Sequence, residues 1–312
     1  MKPVIDFDHP DLADNKYGFE GGTVVKVDGT YHMFVGEMAG DPFWVRMRQS
    51  HWTSSDAVQW KRQGTIVETS GQPMSVTGRH YESVWATMPV FNKAENHWDM
   101  FYVGYLQGGA SAGKLWRAIS STPGRGGIGG PYQEIGVIMQ PDADSQPWEG
   151  EQGTDSFFPY QVGKRWYAFY GSHKVRWEVG LAEAGALAGP WKRCATGNPS
   201  PIENVFIENP IVSRIGDRYV AIYDATTVGA STYQADGHVV GYSCSADGIH
   251  WLPGGRITVQ KDGAENWSTD IRTPLCLIDE GKGVFTMLYT GEDKARRFFP
   301  VGLVRLKLAK GG

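Results

Sequence analysis

The 312-residue sequence lacks the marks of several protein classes. It has three cysteines, Cys194, Cys244 and Cys276, an odd number that matches no metal-binding spacing, so we expect buried thiols. No apolar run approaches the ~18–20 residues of a membrane span. Residues 1–6 lack the apolar core of a signal peptide. We therefore expect no membrane association, and either a cytoplasmic protein or an exported one whose leader has been removed.

Basic charge is also scarce. The 30 lysines and arginines are outnumbered by 34 aspartates and glutamates, which gives a net charge of −4. A nucleic-acid-binding surface is basic, so we expect no nucleic-acid partner. The glycine-rich run 124–130 opens no helix and has no P-loop lysine, which excludes a nucleotide loop of that kind.

Glycine and aromatic residues, by contrast, are abundant. The chain has 41 glycines, 12 tryptophans, 14 tyrosines and 13 phenylalanines. This composition favours short strands joined by tight turns over long helices. With 41% hydrophobic residues the chain can build a real core, so wholesale disorder is excluded.

One pattern repeats five times, at intervals of about 53–68 residues. Each copy has an apolar strand, a polar turn with Gly or Asn, and an aromatic-rich strand, which predicts a β-hairpin. The second strands of these hairpins contain Tyr31, Trp98, Trp166, Tyr219 and Val284. A third strand follows each hairpin. Four copies then end in a closing motif, which is Asp-Ala-Val-Gln-Trp60, Gly-Pro-Tyr132, Gly-Pro-Trp191 or Asp-Gly-Ile-His-Trp251.

Five units of about four strands predict an all-β fold, a five-bladed β-propeller. We expect blades at about residues 17–62, 84–134, 155–193, 208–253 and 270–308, within one domain that spans residues 1–312. The fifth unit has no fourth strand. The apolar segment at residues 3–7 is predicted to pair with this last blade, which closes the ring and removes an exposed edge. The long stretches 69–83 and 140–154 should be surface loops that shape one face.

Three acids share one position in this repeat. Glu20, Asp155 and Glu208 each lie 11 residues before the hairpin aromatic of their own blade. The position 11 residues before the corresponding hairpin residue is Thr87 in blade two, and it is near Thr273 in blade five. Equivalent positions on the innermost strands converge at one mouth of the central channel, so we expect the three carboxyl groups to meet there. Convergent acids repel one another and cost stability unless they have a function.

Such a trio suits glycoside hydrolysis. One carboxylic acid protonates the leaving oxygen, and a second carboxylate activates a water molecule on the opposite face of the sugar. The third would hold the proton on the acid by like-charge coupling.

The motifs around these acids resemble those of the five-bladed glycoside hydrolases of family 43 and related furanosidase-type propeller families, over residues 17–308. Ile207-Glu208-Asn209-Pro210 is similar to the family's Glu-Gly-Pro acid motif, and Thr154-Asp155-Ser156 to its Ile-Asp-Pro motif. Val84-Trp85-Ala86-Thr87-Met88-Pro89-Val90 is similar to a Trp-Ala-Pro-Asp-Val segment.

The resemblance implies a role for each acid: Glu208 the general acid, Asp155 the modulator of its pKa, and the blade-one acid the general base of an inverting reaction. The family has an aspartate at the blade-one position, whereas this chain has Glu20 followed by Gly21 and Gly22. Asp6, Asp8 and Asp41 are further carboxylates near blade one.

Other residues are candidates for binding the sugar, which stacks on aromatic rings and bonds through its hydroxyls. The predicted substrate-binding residues are Trp85, Thr87, His173, Trp177, Asp270 and Arg272.

No cofactor is expected to be required, and no metal ligands are assigned. A structural cation in the central channel remains an option, with Asp270 as a supporting acid.

The sequence favours an enzyme that acts on a small oligosaccharide or on a polysaccharide end. Two alternatives stay open. One is a propeller that binds carbohydrate without cleaving it, for which the unusual Glu20 is the main support. The other is a glycoside phosphorylase that uses phosphate in place of water.

Overall fold

The computed structural model describes residues 3–68, 83–105, 112–226, 237–257 and 270–307. These residues form five antiparallel sheets, each made of strands consecutive in the chain. The predicted loop at 69–83 lies outside the described residues apart from its last position.

Four sheets have four strands and one has three, as the repeat predicted. Blade one contains β1 (Phe19–Val27), β2 (Thr30–Met38), β3 (Met47–Ser54) and β4 (Lys61–Glu68). Blade two contains β5 (Ser83–Asn92), β6 (His97–Tyr105), β7 (Lys114–Ser120) and β8 (Tyr132–Met139), with a short 3₁₀ helix at Arg125–Gly129 before β8. Blade three contains β9 (Asp155–Val162), β10 (Arg165–His173), β11 (Trp177–Ala184) and β12 (Lys192–Arg193). Blade four contains β13 (Ile207–Ile215), β14 (Arg218–Thr226), β15 (His238–Ser245) and β16 (Gly255–Ile257). Blade five contains β17 (Asp270–Gly281), β18 (Val284–Glu292) and β19 (Val301–Lys307).

The first strand of each blade lines the centre of the molecule. β1 contacts β5 and β17, β9 contacts β5 and β13, and β13 contacts β17, so the five inner strands close a ring. The fold is therefore the predicted five-bladed propeller.

The N-terminal segment joins the ends of this ring. Ile5 forms an antiparallel bridge with Val301, the first residue of β19. The Val4 amide donates to the Val301 carbonyl at 2.8 Å, and the Val301 amide donates to the Ile5 carbonyl at 2.9 Å. The predicted closure by the N-terminus is confirmed, as a short bridge at one end of the blade-five edge.

Apolar side chains fill the spaces between neighbouring blades. Between blades five and one, Ile5, Phe19 and Trp52 pack with Leu288 and Phe298. Between blades three and four, the buried cluster includes Tyr160, Phe169, Tyr223 and Trp251. The aromatic excess of the sequence therefore supplies the large side chains that fill these wide interfaces.

The expectation of three buried thiols is only partly correct. Cys276 is buried in blade five, whereas Cys194 and Cys244 are half-buried. Cys194 directly follows β12, the outer strand of blade three, and Cys244 lies near the end of β15 in blade four. Within the described ranges, no helix is long and apolar enough to cross a membrane.

Candidate active site

A β-bulge interrupts each inner strand close to its start. The extra residue falls between Glu20 and Gly22, between Trp85 and Met88, beside Asp155, between Glu208 and Ile211, and between Ile271 and Pro274. In four blades the residue after the leading side chain has a positive φ: Gly21, Ala86, Ser156 and Asn209. Because a bulge bends the strand and re-aims its side chains, the residues that lead four of these bulges are turned toward the channel mouth. They are Glu20, Trp85, Asp155 and Glu208. In blade five Arg272 lies within the bulge, directly after Ile271.

These five side chains line one cavity of about 570 Å³. The structure therefore brings the three predicted acids together, with the predicted Trp85 and Arg272 beside them. Trp177 also lines this cavity, as predicted.

The placement of Thr87 as the blade-two equivalent of the acids is wrong. The hairpin turn of blade two spans residues 93–96, two residues more than the Asp28-Gly29 turn of blade one. Trp85 pairs with Val103, five residues after Trp98, just as Glu20 pairs with Gly36, five residues after Tyr31. Thr87 itself is fully buried, is not part of the cavity wall, and donates to Gln49 Oε1 at 3.0 Å.

In blade five the cavity is lined by Arg272, whereas Thr273, the position given by the count, is fully buried and is not part of the cavity wall. Two further irregularities in β17, at Pro274/Cys276 and Asp279/Gly281, lengthen the strand relative to β18 and displace a simple residue count.

Glu20 is buried and partly hydrogen-bonded. Its side chain accepts a hydrogen bond at Oε1 from Thr273 Oγ1 at 2.5 Å, and Arg272 Nη2 lies 3.5 Å from the same oxygen. The other oxygen, Oε2, is buried without a hydrogen-bond partner among the described residues. Burial raises the pKa of Glu20, and the Arg272 charge and the Thr273 hydrogen bond oppose that rise.

Asp155 is surrounded by hydrogen-bond donors. Oδ1 accepts from the Ser156 amide at 2.5 Å, and Ser156 Oγ lies 3.2 Å from Oδ1 and 2.9 Å from Asn209 Oδ1. Oδ2 accepts from the Tyr105 hydroxyl, and Gln152 Nε2 lies 3.5 Å away. Burial raises the pKa of Asp155, and the hydrogen bonds from Tyr105 and Ser156 oppose the rise.

Glu208 differs from both, because no hydrogen bond reaches its carboxyl group from the part of the chain that the structure describes. Burial holds the pKa of Glu208 well above its ordinary value. The Arg272 charge opposes this shift, whereas Asp224, Asp155 and Glu20 reinforce it.

A chain of polar side chains supports Arg272. Its Nη1 lies 2.7 Å from His238 Nε2, and His238 Nδ1 lies 2.9 Å from Asp224 Oδ1. Because a guanidinium group can only donate, Nε2 is the acceptor and the ring proton lies on Nδ1, facing Asp224. The Arg272 guanidinium also lies 5.2 Å from the Trp44 ring centroid.

Two predicted substrate-binding residues, and the alternative carboxylates of blade one, stand apart from this arrangement. His173 is not part of the cavity wall, but its ring packs edge-on against Trp177 with centroids 5.4 Å apart. Asp270 opens β17 and pairs with Glu292, and its side chain lies outside the described residues. Of the alternative blade-one carboxylates, Asp41 pairs with Lys16 at 2.5 Å. Neither Asp6, Asp8 nor Asp41 lines the cavity.

Sequence reasoning missed several residues of the cavity. Trp44 and Phe43 come from the β2–β3 connection, Tyr105 ends β6, Gln152 lies in the predicted loop 140–154, and Arg297 precedes β19. Tyr105, Asp224 and Glu292 all lie at the ends of second strands, which run antiparallel to the inner strands and finish at the same mouth. They lie 7, 5 and 8 residues after Trp98, Tyr219 and Val284, so a single residue count along the second strands would not have found all three.

Within the described parts of the chain, no group of three or more His, Cys, Asp and Glu side chains is placed to hold a metal ion.

Comparisons with known proteins give a clear answer for the fold. No family model matches the sequence, and no curated protein matches it. Solved structures do match. A glycoside hydrolase has a TM-score of 0.73 at 16% identity, over 95% of this chain and 89% of that one. A thermostable family-43 glycoside hydrolase has a TM-score of 0.60 at 15% identity, over 94% and 91%.

A third similar structure is the alpha-L-arabinofuranosidase PaAbf62A from Podospora anserina in complex with cellotriose. Its TM-score is 0.64 at 12% identity, over 97% of this chain and 94% of that one. The chain therefore shares the five-bladed propeller of these glycoside hydrolases along nearly its whole length. Since a fold hosts more than one activity, function has to be argued from the site.

Proposed function

We propose that the protein is a glycoside hydrolase that cleaves a small oligosaccharide or a polysaccharide end with inversion. Glu208 donates its proton to the leaving oxygen as the glycosidic C–O bond breaks. Glu20 accepts a proton from the water molecule whose oxygen bonds to the anomeric carbon. Asp155 keeps the proton on Glu208 before the reaction.

The observation that carries this proposal is the contrast between Glu208 and the other two acids. A general acid must hold its proton near neutral pH, which requires a pKa above the ordinary carboxyl range. Glu208 meets this condition, because it is desolvated, lies near three further carboxyl groups and accepts no hydrogen bond in the described structure that would favour the ionised form.

The surroundings of Glu20 suit a base. Thr273 and Arg272 fix one carboxylate oxygen, while Oε2 has no hydrogen-bond partner among the described residues, and the residue lines the cavity.

The rest of the cavity offers contacts of the kind that sugars use. Trp44 and Trp85 stack at 5.8 Å with an interplanar angle of 28°, and both line the cavity with Trp177. Arg272 also lines the cavity, and a guanidinium group can donate hydrogen bonds to a sugar hydroxyl. An aromatic wall with a few placed polar groups is typical of a carbohydrate site.

The test compares leaving groups. Wild type, Glu208→Gln, Glu20→Gln and a control, Glu151→Gln, are assayed on aryl glycosides and plant or algal oligosaccharides. Glu151 is exposed and outside the cavity. We expect Glu208→Gln to lose about 10²–10⁴-fold on natural linkages but to retain activity on aryl glycosides with good leaving groups. Glu20→Gln should lose activity on both kinds of substrate, and Glu151→Gln on neither.

Product analysis separates the alternatives. NMR of the first-formed anomer should show inverted configuration. Cleavage only in the presence of phosphate would indicate a phosphorylase. If a sugar raises the melting temperature of the wild type but none is cleaved, the protein is a carbohydrate-binding propeller. If Glu208→Gln cleaves natural linkages like the wild type, the assignment of Glu208 is wrong.

A further inference from the structure

The hydrogen bonds around Asp155 run in one direction. Gln152 Nε2 donates to the Tyr105 hydroxyl oxygen at 2.5 Å, and the Tyr105 hydroxyl donates to Asp155 Oδ2. The same amide nitrogen lies 3.5 Å from Asp155 Oδ2, so Gln152 Nε2 faces both the hydroxyl and the carboxyl group. The amide therefore supplies the donor, and the hydroxyl proton of Tyr105 is left for Asp155.

An ionised Asp155 accepts from both of its nearest donors: the Ser156 amide donates to Oδ1 and Tyr105 donates to Oδ2. The Ser156 hydroxyl lies between two acceptors, 3.2 Å from Asp155 Oδ1 and 2.9 Å from Asn209 Oδ1. A proton on Asp155 Oδ2 would face the Tyr105 hydroxyl, which would then have to turn its own proton away from Asp155. Hydrogen bonds that are formed only to the charged form favour that form, against the cost of burial.

Three separate parts of the fold build this arrangement. Tyr105 ends β6 in blade two and is almost fully buried, and Asp155 opens β9 in blade three. Gln152 lies between blades two and three, where the Gly113 amide donates to its carbonyl at 2.8 Å. Gly113 also bridges Gly153, and a Cβ at Gly113 would lie 2.7 Å from the Tyr105 ring. The segment before β9 is thus packed directly on Tyr105.

We propose that Tyr105 and Gln152 are positioning residues that hold Asp155 ionised in the cavity, so that the proton needed by the leaving group stays on Glu208. This inference rests on the proposed function. It adds two residues that touch no reacting atom and that act through Asp155.

The electrostatic neighbours of Glu208 fit this role. The charged groups that act on it are Arg272, Asp224, Asp155 and Glu20. Asp155 accepts its hydrogen bonds from Tyr105, Gln152 and Ser156. If Asp155 became neutral, one of the charges that keep the pKa of Glu208 high would be lost, and Glu208 would ionise at lower pH.

The experiment compares Tyr105→Phe and Gln152→Ala with Asp155→Asn as a reference. We expect each variant to move the basic limb of the kcat/KM profile to lower pH, by about one unit for Tyr105→Phe. Activity on natural linkages should fall about tenfold or more near neutral pH, with KM little changed. Aryl glycosides with good leaving groups should be cleaved at nearly the wild-type rate.

A matched control is Tyr102→Phe. Tyr102 lies on the same strand, is buried, and donates to Glu134 Oε2 at 2.6 Å, away from the cavity. It should leave the pH profile and the leaving-group dependence unchanged. Equal losses on all substrates for Tyr105→Phe, with an unmoved basic limb, would overturn the proposal and indicate a purely structural role.

A second measurement needs no turnover. In protein labelled with ¹³C at aspartate carboxyl groups, the Asp155 signal, assigned with Asp155→Asn, should titrate at higher pH in Tyr105→Phe and in Gln152→Ala than in the wild type. An unmoved titration in both variants contradicts the proposal. If the wild type cleaves nothing, the proposed function fails, and this titration alone decides whether the two residues hold Asp155 ionised.

Discussion

At the scale of single residues, three carboxyl groups in one cavity are distinguished by their partners and not by their burial. Asp155 is held by several donors, Glu20 is held at one oxygen, and Glu208 is not hydrogen-bonded within the described structure. Burial raises the pKa of all three, so the donors decide which group most readily gives up its proton.

This difference predicts how stability depends on pH. Between the ordinary glutamate pKa of about 4.3 and its raised value in the fold, Glu208 keeps a proton that the unfolded chain has lost. The folded state then binds more protons than the unfolded state, so wild-type stability falls as pH rises through this window. Glu208→Gln has no such proton and should gain stability over the wild type by up to about 1.4 kcal/mol for each pH unit of the window.

Urea unfolding of both proteins between about pH 5 and about pH 8 measures this gain. Glu151→Gln serves as the control, since Glu151 is exposed. A difference between wild type and Glu208→Gln that stays constant over this range would contradict the raised pKa.

At the scale of elements, the bulged inner strand determines what enters the cavity. The repeat of strand, turn and strand was readable from the sequence, because alternating apolar residues and turn glycines leave a local pattern. The positions of Glu20, Asp155 and Glu208 followed from it, since these three blades share a two-residue hairpin turn.

The count of 11 residues back from the hairpin aromatic gave the wrong inner-strand residue where the local geometry changed without a strong pattern in the sequence. The four-residue turn of blade two hid the equivalence of Trp85. In β17, which has extra irregularities, the cavity is lined by Arg272 and not by Thr273, the position given by the count. The partners of the acids, such as Tyr105 and His238, come from other strands and from long-range packing, which no spacing along one strand reports.

Substitution of Gly22 tests whether the bulge in blade one requires a glycine at this position. It has φ +124, and a Cβ there would lie 2.1 Å from the Phe34 carbonyl oxygen of the neighbouring strand. Gly29, in the hairpin turn, also has a positive φ, but a Cβ there would meet nothing within 4 Å. Gly29→Ala should therefore cost about 1 kcal/mol of unfolding free energy from backbone strain alone. Gly22→Ala should cost at least about 3 kcal/mol, because β1 and β2 must separate.

Guanidinium unfolding of the two alanine variants gives the comparison, and the difference between them isolates the clash. Similar losses for both would mean that β1 can shift away from β2 at little cost, and that the bulge is not fixed by Gly22.

At the scale of the whole molecule, five inner strands from distant parts of the chain must be held at fixed distances for the site to exist. Glu20 in blade one and Arg272 in blade five face each other across the junction where the ring closes. The N-terminal segment, which bridges β19 at Val301, supports this same junction. Closure of the ring and assembly of the site therefore depend on one interface.

Ile5→Ala is the matching test. Ile5 is fully buried among Phe19, Leu288, Phe298 and Val301, and removal of a buried isoleucine side chain to alanine typically costs about 2–5 kcal/mol. Because blades five and one share this core, we expect the free energy of global unfolding to fall by this amount. Hydrogen exchange at the Val301 amide should become faster by the factor that corresponds to the same free energy. Val58→Ala, at a side chain that is 48% exposed, should stay within about 0.5 kcal/mol of the wild type. If Ile5→Ala speeds exchange at Val301 while the unfolding midpoint is unchanged, the N-terminal bridge frays on its own, and blades one and five hold the ring closed without it.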